Sequence, residues 1–136
     1  MTLFQLEVLV AVAEHGHALS WEESIMLEQL SREPFILPMA GCERLIQSTC
    51  QALGLELDIQ HEVVDNATIH SMVEAGIGGS VVPQLTIPKD ETNVVCLEIY
   101  PPLHRQICLV VKSLSLAPPK VRAWIEVAQK SAQPYR

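Results

Sequence analysis

The sequence predicts an α/β fold with a mostly parallel sheet. Short aliphatic runs alternate with segments of helical period, and the links between them are short. Of the 136 residues, 49% are apolar but only 4% aromatic. Alternation with short links is the pattern of strands laid side by side with helices crossing over them. A chain of this length closes one compact domain or two small lobes, here around a core of Val, Ile and Leu.

Residues 3–13 are rich in β-branched and aliphatic side chains (Leu3, Val8, Leu9, Val10, Val12) and read as a buried strand. A polar loop with His15, Gly16 and His17 follows. Ser20 with Glu23 fits a capping box, Ser24 being the alternative cap, for a short helix over 26–30. Pro34 stops that helix, and Phe35-Ile36-Leu37 is a short apolar strand before the turn Pro38-Met39-Ala40-Gly41. From Cys42 the period becomes helical: Cys42, Leu45, Ile46, Thr49, Cys50 and Leu53 share one face, and Gly54 terminates the helix. Leu55, Leu57, Ile59 and His61 alternate with polar residues, predicting a half-exposed strand. Asp65 or Asn66 caps the next helix, whose Ile69, Met72 and Val73 face the core. Gly76, Gly78 and Gly79 break it. Ser80-Val81-Val82 is a buried strand closed by Pro83. Two further strands, near 93–99 and 104–112, are joined by a Pro101-Pro102 turn. A last helix starts after Pro118-Pro119 with Val121, Trp124, Ile125 and Ala128 as its core face.

Charge excludes one class of partner. The chain carries −7, and residues 1–31 hold five carboxylates and no Lys or Arg. Nine scattered basic residues cannot assemble the cationic face that displaces counterions from phosphates, so direct DNA binding is not expected. No apolar run approaches a membrane span, and the opening residues lack a basic signal-peptide region. A cytoplasmic location is the expectation. Cys42, Cys50, Cys96 and Cys108 lack metal-type spacing and read as free thiols, with Cys96 and Cys108 in the core. His15 and His17 lack an accompanying ligand set, so no metal is expected. No nucleophile elbow, phosphate loop or paired acid and base is present, and no cofactor is implied. The glycine cluster at 76–79 follows a helix, whereas a dinucleotide fingerprint follows a strand.

Two stretches carry a resemblance. EPFILPMAGCERLIQSTCQALGLELDIQHEV and ATIHSMVEAGIGGSVVPQL, followed by RQICLVVKSLSLAPPKVRAWIEVAQ, resemble the effector-binding domain of bacterial LysR-type transcriptional regulators across residues 3–130. Met72-Val73, Ala75-Gly76, Gly78 and Val82-Pro83 carry the family's last motif, while Gly79 stands where an aliphatic residue is usual. The opening segment resembles the family's crossover strand better than the first helix of its DNA-binding head. The crossover placement runs on without a gap, and under either placement the DNA-reading helix is missing. The resemblance implies a periplasmic-binding-protein-like (type 2) fold with one complete lobe plus the C-terminal part of the other. Residues 1–16 would be the crossover strand, 17–86 the second lobe, and 87–136 the return strands and closing helix of the first lobe. It also implies a truncated effector-binding regulatory domain that forms a homo-oligomer.

The effector of this family sits in a cleft between lobes. Met39, Ala40, Gly41 and Cys42 in one loop, with Asn66, Ala67 and Thr68 at the next helix start, are the expected effector-binding residues. Two helix N-termini there would offer N–H groups to a small carboxylate metabolite. Cys42 lies near the reactive cysteine of peroxide-sensing members. Eight residues of helix, however, put Cys42 and Cys50 about 12 Å apart, too far for a disulfide. The function read from the sequence is a binding module, not an enzyme. A solute-binding or small enzymatic domain of similar architecture is the alternative.

Overall fold

A computed structural model describes residues 2–14, 23–89 and 93–132. The loop with His15 and His17, and most of the Ser20–Glu23 cap, lie outside them. The elements are β1 (Thr2–Glu14), β2 (Ser24–Met26), α1 (Leu27–Leu30), β3 (Pro34–Pro38), α2 (Glu43–Ala52), β4 (Asp58–Val63), α3 (Asn66–Glu74), β5 (Gly79–Pro83), a 3-10 turn (Gln84–Thr86), β6 (Val94–Val110) and α4 (Pro119–Ala132). By packing the chain forms two compact units, Val8–Leu103 and Met1–Glu7 with His104–Arg136.

The larger unit is built on a six-stranded sheet of order β2-β6-β1-β5-β3-β4. β3 pairs in parallel with β4 and β5, β2 in parallel with β6, and β1 antiparallel to β5. Strand alternation sends successive residues to opposite faces. Leu9, Ala11, Phe35, Leu37 and Val81 pack on one face with Ile46 and Cys50 of α2. Val10, Val12, Ile36 and Val82 pack on the other with Ile69 and Val73 of α3. Helices on both faces explain why these strands read as unbroken apolar runs. Ser80, the buried polar residue among them, donates its hydroxyl to the Ile36 carbonyl at 2.7 Å, so this buried donor is satisfied.

Local signals placed most boundaries. Gly54, at φ 69, closes α2, and the Leu55 N–H reaches back to the Cys50 carbonyl. Several expectations are corrected. Ser24 lies in β2, so Met26 opens α1, its N–H received by Gln29 Oε1 at 2.8 Å. The fourth strand begins at Asp58, not Leu55, and its register slips. Phe35 faces Ile59 but Ile36 faces His61, leaving Gln60 as an extra residue. The alternation therefore inverts past Gln60: Ile59 packs with the α2 face, Val63 with the α3 face, and His61 is exposed.

The Pro101-Pro102 turn is absent. The backbone stays extended from Val94 to Val110, with a cis Tyr100–Pro101 bond. A proline φ already lies in the extended region and only a donor is lost, so a strand tolerates it where no N–H is needed. Cys96 and Cys108 are exposed, on the outward side of β6, and are not core. In the smaller unit Ile125 is buried and Ala128 partly so, but Val121 and Trp124 face outward. The apolar period of α4 therefore has two faces, and only one is covered within the unit.

Candidate functional site

β3 and β4 run parallel, so both chains leave the sheet at the same edge, with Pro38 opposite Val63. The Met39 N–H donates to the Val63 carbonyl at 2.9 Å and ties the two exits together. Met39–Cys42 and Asn66–Thr68 therefore lie on the carboxyl edge of adjacent parallel strands, where open α/β sheets receive ligands.

In the first loop Met39 is half-buried and leans on the core beneath α2. Ala40 and Gly41 are exposed, and Gly41 takes φ 106, a conformation that a side chain would strain. Cys42 precedes α2 and is buried at 2% exposure, and its carbonyl accepts the first helical bond from Ile46. At the second exit Asn66 is half-buried, while Ala67 and Thr68 are exposed. The Ala67 carbonyl is engaged by the Ser71 hydroxyl.

Both helix starts are occupied by the chain's own carboxylates. Glu43 Oε2 accepts the Gly41 N–H at 2.8 Å. The Glu43 N–H, then that of Gly41, holds its carboxyl below the usual range. Asp65 Oδ2 accepts the Thr68 hydroxyl at 2.6 Å and the Thr68 N–H at 2.9 Å. Those two bonds likewise lower its pKa, the hydroxyl contributing most. Positive helix ends attract anions, and here each is already part-neutralised. Neither Glu43 nor Asp65 was among the expected site residues. For Asp65 the signal lay in the sequence, as Asp-x-x-Thr at a helix start.

Cys42 and Cys50 are both buried, and burial raises the Cys50 thiol pKa. Among the described residues no three His, Cys, Asp or Glu side chains gather as a metal set. None of the described helices is long and apolar enough to cross a membrane.

The family pattern of the LysR substrate binding domain matches residues 2–133. The probable HTH-type transcriptional regulator LrrA of Synechococcus elongatus is 30% identical over 122 residues, which is 89% of this chain and 40% of that regulator. The chain thus spans well under half the length of this relative. Among solved structures, the regulatory domain of CcmR from Synechocystis PCC6803, in complex with 2-PG, superposes with a TM-score of 0.80 at 17% identity, covering 96% of this chain and 67% of that one. The effector binding domain of QuiR, in complex with shikimate, gives 0.78 at 20% identity, covering 98% and 66%. These likenesses establish the periplasmic-binding-protein-like type 2 fold of LysR effector-binding domains. With the family pattern running through both units and almost end to end, the chain belongs to the LysR substrate-binding domain family.

Proposed function

We propose that the chain senses a small metabolite at the carboxyl edge of β3 and β4 and serves transcription control, as a binding module without catalytic activity. The observation that carries this is the Met39–Val63 tie, which holds two preorganised loops side by side. Gly41 offers a bare backbone on one, and the Asp65–Thr68 cap fixes the other. Relatives that are transcriptional regulators support the role, and neighbours with 2-PG and shikimate support a small ligand.

The expected carboxylate needs a refinement. A carboxylate reaching Gly41 or Thr68 must displace Glu43 or Asp65. A ligand that also carries hydroxyl groups can instead donate to those carboxylates, so hydroxy acids fit better than simple acids. The test is a calorimetric screen of small hydroxy acids and their deoxy counterparts against the full chain, repeated with Thr68→Ala and Gly41→Val. Saturable binding that prefers the hydroxylated compounds and is lost in both variants is expected. Binding indifferent to both substitutions sinks this assignment.

A further inference from the structure

The loop between β6 and α4 frames a cavity of about 540 Å³ in the smaller unit, open to solvent. Ligand pockets run from roughly 300 to 1,000 Å³. The loop is held in shape by its own bonds. The Ala117 N–H donates to the Leu114 carbonyl at 3.3 Å, the Ser113 and Ser115 hydroxyls meet at 3.1 Å, and Arg122 Nε donates to the Ala117 carbonyl at 3.0 Å. The walls are apolar yet wet: Leu116 is 85% exposed and Val121 38%, and exposed Pro118 lines the cavity with them. A single exposed Leu is ordinary on a protein surface, but these side chains line one concavity.

Charge gives the cavity a polarity. Lys112 is the charged residue of its described lining, and no carboxylate accompanies it there. Arg122, bonded to the Ala117 carbonyl, places a second cation beside the same loop. Residues 104–136 hold six of the nine Lys and Arg residues and a single carboxylate, Glu126, although the whole chain carries −7. A cationic concave surface concentrates anions. Covering its aliphatic walls removes apolar area from water, at about 25 cal/mol per Å². An inorganic anion uses only the first effect and a neutral hydrocarbon only the second. We infer that this cavity is a second ligand site, taking an amphiphilic anion with its aliphatic chain on Leu116, Pro118 and Val121 and its acidic head group at Lys112. The site is independent of the effector reading. It belongs to the smaller unit, and none of its residues lies at the β3 and β4 exits.

The test is a protein-observed NMR titration of the full chain with hexanoate, 1-hexanol and hexylammonium, which share a chain length, and with acetate, which has the head group alone. Hexanoate is expected to bind about fivefold more tightly than 1-hexanol, the gain of one exposed charge pair, and hexylammonium and acetate more weakly than either. The shifted amides should be those of Val111, Lys112, Ser113, Leu116 and Val121. Lys112→Met should bring hexanoate and 1-hexanol to equal affinity, and Leu116→Ser should weaken both alike. Both positions are exposed, so neither substitution opens the core. Thr68→Ala should leave hexanoate binding at this loop unchanged. No saturable binding at tens of millimolar hexanoate, equal binding of hexanoate and hexylammonium, a preference for hexanoate that survives Lys112→Met, or shifts confined to the larger unit would overturn the site. Loss of hydroxy-acid binding in the calorimetric screen leaves this result untouched.

Discussion

Ser80 sits at 0% exposure between strands, and its hydroxyl is satisfied by the Ile36 carbonyl. Replacing it with Ala removes one buried hydrogen bond while leaving the packing nearly intact. Ser80→Ala is expected to lower stability by about 1 kcal/mol, read as a shift of the urea midpoint at unchanged slope. Asp65 supplies a pH signature. Its folded pKa is depressed, so the stability it contributes is complete above the unfolded carboxylate value, near pH 4, and is lost as pH falls through the lower folded value. An acid titration followed by circular dichroism should show Asp65→Asn less stable than the parent at neutral pH, the two curves converging in strong acid. A constant gap at all pH values would show that the carboxylate charge contributes nothing. Asp65 was legible as a cap because Asp-x-x-Thr is a local code. The occupation of the Gly41 N–H by Glu43 was not, because it depends on a loop geometry that no periodicity encodes.

Among the helices, α2 and α4 differ in what covers them. Ile46 of α2 is at 0% exposure in the main core, so Ile46→Ala should cost about 2–5 kcal/mol through lost burial and an unfilled cavity. Trp124 of α4 is 58% exposed, so Trp124→Ser should leave the thermal midpoint of the dilute protein nearly unchanged. A loss at Trp124 as large as that at Ile46 would mean that the helix is covered by something outside its own unit. The same contrast marks where sequence reading runs out. For α2 the apolar spacing, Gly54 and the buried face agree. For α4 the spacing named Val121 and Trp124 as core because periodicity reports a preferred face, not whether an element is present to cover it. The long β6 was hidden for another reason. Pro101-Pro102 is strong turn punctuation in a sequence, yet it fits an extended backbone when neither N–H is needed. Sheet order was equally out of reach, since β1 lies beside β5 and β6 through pairings that no local signal records.

At the scale of the molecule, the smaller unit carries several exposed apolar groups: Val110, Leu116, Trp124 and Val127 are each more than half exposed. Val94 and Leu97, at the start of β6, are by contrast buried. Exposed aliphatic and aromatic surface favours association. The −7 charge opposes it only weakly once salt screens charges beyond roughly 8 Å. Light scattering at tens of micromolar should therefore report a homodimer or larger species, and Trp124→Ser with Val127→Ser should shift it toward monomer. A monodisperse 15.1 kDa particle would refute this. The same charge predicts that duplex DNA is not retarded by micromolar protein at low salt, and a salt-sensitive band shift would contradict it. Glu43 and Asp65 carry one more consequence. Each is a tethered competitor, present at high effective concentration at the donors an anionic effector would need. The affinity measured for such a ligand is its intrinsic affinity scaled by the small fraction of time the tether is released. Under the proposed function, two of the chain's own side chains would set the threshold at which it responds, and substitutions there would retune sensitivity without redesigning the pocket.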